Sequence, residues 1–164
     1  MKIIDHGKWI PYKPTKPPEA APPNALFAKR ESDGVDWYDY VNPQKESGRL
    51  FSENFQEDSV KIAFMFHESD NHWIIGPAVT DATMIFPANH YVREIIGFGS
   101  TDENEIIAAF RNKVIHPETS EILGDRAEFR KRVVSEEERE VMSNLAATII
   151  DLRERVKKLE EERK

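Results

Sequence analysis

Apolar residues recur along this chain with two different periods. Near the C-terminus Met142, Leu145, Ile149, Leu152, Val156 and Leu159 lie alternately three and four apart, the seam of a helix that packs against another helix. Between residues 60 and 96 the period is two. Val60, Ile62, Phe64 and Phe66 alternate with Lys61, Ala63 and Met65, which predicts a half-buried strand. After a polar turn over 67–72, Trp73-Ile74-Ile75-Gly76 returns as the second strand of a hairpin. Ala78-Val79, Met84-Ile85-Phe86 and residues 91–96 continue the strand series, broken at Thr80-Asp81 and at 87–90. Ile106, Ile107 and Phe110 share one face of a short helix predicted over 103–110. Lys113-Val114-Ile115 and Glu121-Ile122-Leu123 flank a turn over 116–120 and predict a second hairpin.

The C-terminal helix carries its own end signals. Ser135 followed by Glu138 forms a capping box, Glu136 to Glu138 sit in the first turns, and Arg163 and Lys164 close the last. With Met142, Ile149 and Val156 at a, and Leu145, Leu152 and Leu159 at d, the β-branched-a, leucine-d rule leans toward a parallel pair. Val141 at g and Ala146 at e widen the apolar stripe, which suits three strands, and Arg155 at g reaches Glu160 at e of a neighbouring chain. The expected partner is a second copy, as a homotrimer ahead of a dimer. The alternative is a single amphipathic helix packed on its own domain. The flanks of Val156 and Leu159 are too charged for a broad core-facing stripe, which favours the seam.

Six of the ten prolines fall between Pro11 and Pro23, and proline fixes φ and lacks a donor, so that stretch is expected to be extended and polyproline-like. Trp9, Ile10 and Tyr12 before it, with Leu26 and Phe27 after it, read either as anchors that dock on another protein or as aromatics of a linker that fold back on the home domain. Asp33-Gly34 is a turn signal, and residues 37–41 alternate as a short edge strand. The acids and rings there suit a sugar or a cation, and suit the cap of a small core better.

Composition narrows the functional classes. A formal charge of −7 over 164 residues disfavours nucleic acid and anionic membrane as partners. Cysteine is absent, so no disulfide framework or thiolate metal site is available. The first residues lack the apolar run of a signal peptide, and no transmembrane run is present. His67, Glu68, Asp70 and His72 have the composition of a divalent-metal site but sit in a polar turn. Gly97-Phe98-Gly99-Ser100-Thr101 has no following lysine and fails as a phosphate loop. Carboxylates such as Glu53, Glu57 and Asp58 read as surface charge. No catalytic residue, cofactor or metal is expected.

The strings Trp9-Ile10-Pro11-Tyr12, Asp33-Gly34-Val35-Asp36-Trp37-Tyr38 and the run from Ala78 to Pro87 leading to Val92-Arg93-Glu94-Ile95 resemble small tail-associated proteins of tailed bacteriophages. Tail-fibre assembly proteins and small fibre or baseplate-attachment proteins are of this kind. The resemblance touches about half the chain. It implies a non-enzymatic role in the virion tail, as a structural adaptor or as an assembly chaperone, with other tail or fibre proteins docking through the N-terminal arm. A module that binds or cleaves glycans through Trp37, Tyr38 and nearby acids is the third reading. The expected architecture is α+β: an extended Pro-rich arm over 1–32, a small antiparallel β domain over 33–124, and a helical region with a coiled coil over 125–164.

Overall fold

A computed structural model describes residues 1–18, 21–41 and 54–162. The chain divides into two units, Met1–Arg126 and Ala127–Lys164. Glu53, Arg163 and Lys164 lie outside the described residues.

Unit 1 is built on one antiparallel sheet of seven strands. In chain order these are β1 (Lys2–Pro11), β2 (Ala28–Arg30), β3 (Val60–His67), β4 (His72–Val79), β5 (His90–Ile96), β6 (Lys113–Ile115) and β7 (Ile122–Asp125). Their order across the sheet is β2-β1-β5-β3-β4-β6-β7. Among the described residues two α-helices belong to this unit, α1 (Trp37–Val41) and α2 (Glu103–Phe110). The α2 bounds match the apolar periodicity, and Asp102 caps it by accepting from the backbone N–H groups of Asn104 and Glu105.

Alternation along the central strands sends side chains to two faces, and both are covered. Val60, Ile62 and Phe64 of β3 join Ile75, Ala78, Ile95 and Ile115 beneath Ile106 and Phe110 of α2. On the opposite face Trp9, Ala63 and Val92 pack with Trp37 and Val41 of α1, with Phe55, and with Ala82 and Ile85. Arg93, on the α2 face, lies over the Phe64 ring and pairs with Asp5. Its guanidinium also donates to the Pro117 carbonyl at 3.2 Å, tying the β6–β7 turn to the sheet.

Five local expectations are corrected. The first is the arm. Residues 2–11 are strand β1, hydrogen-bonded between β2 and β5, and Trp9 is fully buried. The period-two signal was hidden by a β-bulge. Three steps on β1 from Asp5 to Lys8 oppose two on β5 from Arg93 to Tyr91, and Gly7 sits there at φ 82°. The extra residue turns His6 and Trp9, three apart, toward the same face. The proline-rich stretch is therefore the connection between β1 and β2, closed at its mouth by the Tyr12 N–H donating to the Phe27 carbonyl at 3.1 Å.

Residues 37–41 are a helix rather than a strand, because the Asp36 carboxylate accepts from the Tyr38 N–H at 2.7 Å and caps α1. Residues 82–84 form a single 3-10 turn capped by Asp81 instead of joining a strand over 84–86. The last helix, α3 (Arg126–Glu162), starts nine residues before Ser135, so Ser135 and Glu138 lie inside it and cap nothing. No glycine or proline interrupts 126–134, and Arg126 fixes the start: its backbone N–H donates to the Asn112 carbonyl and its side chain pairs with buried Asp70.

Strand β4 spans Gly76-Pro77, where sequence suggested a break. A second bulge absorbs the proline: Ile62 opposes Ala78 and Phe64 opposes Ile75, so β4 carries one extra residue. Ile75 and Ala78 thereby share the α2 face.

Since Trp9 is core, Trp9→Ala is expected to cost about 3–5 kcal/mol of unfolding free energy in denaturant titrations. Leu26→Ala, at a position 70% exposed, should shift it by no more than about 0.5 kcal/mol. Equal small effects would return Trp9 to the role of a surface anchor.

Candidate functional site

Helix α3 is 37 residues long, a rod of about 55 Å at 1.5 Å per residue. Along it Met142, Leu145, Ile149, Leu152, Val156 and Leu159 are between 44% and 66% exposed. All six fall on one stripe, because positions three and four apart stack on the same helix face. Ile149, Leu152, Arg153, Val156, Lys157 and Glu160 line a shallow groove of about 330 Å³.

Full burial of one such aliphatic side chain is worth roughly 1.5–3 kcal/mol. Twelve of them, half exposed in two chains, offer on the order of 10–20 kcal/mol against an association cost of about 4–15 kcal/mol. Burial of the seam is thus of the same order as the association cost it would have to offset. Val141, 65% exposed at g, and Ile150, 59% exposed, extend the apolar sector beyond the seam. Arg155 sits 3.8 Å from Asp151 one turn earlier, and both are largely solvated. So weak a surface pair leaves the guanidinium able to take a partner across an interface.

The residues expected to anchor an arm separate in the structure. Trp9 stands edge-on to Trp37, ring centroids 4.7 Å apart. Ile10 pairs with Lys29 of β2. Tyr12 donates its hydroxyl to Asp36 at 2.7 Å, and burial together with that bond pushes the phenol up to about 12. Phe27 is half-buried between Tyr12 and Tyr38. Leu26 alone of the five is broadly exposed.

Tyr12, Lys16, Pro17, Pro18, Asp36 and Asp39 border an open cleft of about 530 Å³. Partial burial, then the charge of Asp36, raises the Asp39 carboxyl above its ordinary value. Trp37 takes no part. It is 1% exposed and its indole N–H donates to the Ile85 carbonyl at 2.8 Å, so it presents no ring face to a sugar.

The 67–72 turn is organised by an ion pair. Asp70, 1% exposed, receives Arg126, which also approaches His67 at 3.1 Å. The Arg126 hydrogen bond holds the Asp70 carboxyl below its ordinary value. Among the described residues no cluster of three metal-ligating side chains occurs.

A buried polar network escaped the sequence reading. Under α1, His6 Nδ1 lies 2.8 Å from the Tyr40 hydroxyl and Nε2 lies 3.1 Å from Glu94. Glu94, 1% exposed, also accepts from the Gln56 N–H at 2.6 Å and from the Ser59 hydroxyl. Directly across the sheet Lys61 donates to the carbonyls of Gln56, Ser59 and Thr80. Burial lowers His6, so at neutral pH its Nε2–H donates to Glu94 while Nδ1 accepts from Tyr40. Tyr–His–carboxylate is the order of a proton relay, but burial pushes the Tyr40 phenol up, away from the phenolate a nucleophile requires. The network instead fixes residues 54–59 and α1 on the sheet. Its members lie 34 and 88 positions apart, beyond any local motif.

No protein-family model, curated protein or solved structure matches this chain. Among the described residues no helix is long and apolar enough to cross a membrane.

His6 gives unit 1, the head that precedes α3, a pH dependence of defined sign. Its folded value lies below the ordinary 6.5, so the unfolded chain takes up the proton first. The stability supplied by neutral His6 is complete above 6.5 and is lost as pH falls from there through the lowered folded value. Urea midpoints compared at about pH 7.5 and pH 5 should fall more for the native chain than for His6→Gln, which keeps a donor for Glu94. Parallel losses would show that His6 does not drive the acid sensitivity.

Proposed function

We propose that this chain is a non-enzymatic, self-associating structural adaptor of a phage tail, which attaches or forms part of a tail fibre or baseplate. The observation that carries it is the exposed heptad seam on α3. Six apolar side chains in register on a highly charged helix have no use in a lone molecule and fit the facing helix of a second copy. The widened flank at Val141 and Ala146 supports three strands ahead of two.

The tail assignment rests on the resemblance, and the packing supports treating its strings as one unit. Trp9, Trp37, Ala82 and Ile85, drawn from the three separate strings, meet in a single apolar cluster. Docking to other tail proteins, first expected of a free arm, passes to the proline-rich connection between β1 and β2, on which Leu26 stands exposed. Such a loop loses little conformational freedom on binding.

Sedimentation of the full chain at tens of micromolar should give about three times the 19.0 kDa chain mass, falling on dilution. Leu152→Asp should yield a monomer whose head melts at an unchanged denaturant midpoint. A native chain that stays monomeric throughout would overturn the oligomeric part. Proteomics of purified particles tests the rest: presence supports a virion adaptor, whereas absence alongside production in the host supports an assembly chaperone.

A further inference from the structure

We infer that the α3 helices associate parallel and in register, with every head domain attached at the same end of the rod. This rests on the reading of α3 as a homotypic seam and specifies its geometry.

Three features point the same way. Within the seam, β-branched residues occur only at a (Ile149, Val156) and leucine only at d (Leu145, Leu152, Leu159). Only a parallel arrangement makes a and d layers different environments, since an antiparallel one mixes them. The groove supplies the second feature. Ile149, Leu152, Arg153 and Val156 are the a, d, e and next a positions that surround a d-layer socket. In a parallel, in-register pair the knob that enters it is Leu152 of the neighbour.

Flanking charges supply the third. In parallel register, g faces e of the following heptad, so Val141 meets Ala146, Thr148 meets Arg153 and Arg155 meets Glu160. An apolar pair, a cation beside an uncharged hydroxyl and an ion pair result, with no repulsion. The antiparallel alignment that matches all six seam residues sets Met142 against Leu159, Leu145 against Val156 and Ile149 against Leu152. It leaves Arg155 beside Thr148 or Val141, and Arg153 beside Ala146 or its own counterpart. Glu160 alone then finds a base, Arg139. Charge complementarity therefore selects the parallel form.

The consequence for function is multivalency. Unit 1 precedes α3 in each chain, so parallel rods gather the heads. A partner that repeats its binding site around an axis then meets them at high effective concentration.

Native cysteine is absent, so engineered thiols report cleanly. Under mild oxidation L145C should give a disulfide-linked pair in high yield, because Leu145 faces Leu145 only in the parallel form. Oligomeric mass with no L145C cross-link, together with a cross-link in a mixture of L145C and V156C, would establish the antiparallel form and overturn the inference. Monomeric mass for the native chain would remove the homotypic seam itself. Independently, R155E and E160R should each weaken association roughly fivefold or more, and an equimolar mixture of the two should recover it in part, since two of the three g–e contacts of a mixed trimer then join opposite charges. Failure of the mixture to recover would also count against parallel register.

Discussion

Apolar surface in contact with water sets the terms for this molecule, and the two units meet that constraint differently. In unit 1 each face of the sheet is closed by elements of the same unit, α2 over one and α1 with residues 54–59 and 82–85 over the other. In α3 the seam from Met142 to Leu159 stays exposed. A single helix gains little from its own backbone hydrogen bonds in water, and tertiary packing of an apolar face normally provides most of its stability. On the proposed reading, that packing comes from a second copy of α3. Unit 1 then draws its stability from within one chain, whereas the stability of α3 is, on that reading, tied to protomer concentration.

The head is specified by more than apolar contact. Glu94 and Lys61 face each other across neighbouring strands, both nearly free of solvent, and each has several hydrogen-bonding partners. Buried charges are tolerated when their lone pairs and protons are satisfied in this way, and they penalise any other register. A one-residue slip of β5 against β3 would carry Glu94 to the α2 face and set it among Val60, Ile62 and Phe110. The network and the bulge at Gly7 act together, since His6 reaches Glu94 only because the bulge turns it toward that face.

What could be read from sequence followed how local each signal was. Helix α2 was legible to the residue because Ile106, Ile107 and Phe110 mark one face within a single short segment. The β6–β7 hairpin and β5 were legible for the same reason. The seam of α3 was legible because a heptad repeat is a local pattern, although its start was hidden by a capping box that the longer helix overrides. Strand β1 was not, since one extra residue at Gly7 breaks its alternation and the neighbouring prolines suggested an arm. Trp37 looked like a strand residue until the Asp36 side chain bound the Tyr38 N–H. His6, Tyr40 and Glu94 converge from three distant segments, and no spacing in the chain announces them.

Hydrogen exchange across α3 as a function of protein concentration tests the dependence of the rod on its own copies most directly. If copies of this chain cover the seam, amides between residues 141 and 159 should be strongly protected at high concentration and should approach free-peptide rates on dilution, while β3 and β5 remain protected throughout. Protection of 141–159 that does not change with concentration would contradict it, because the stripe would then be buried without a second molecule.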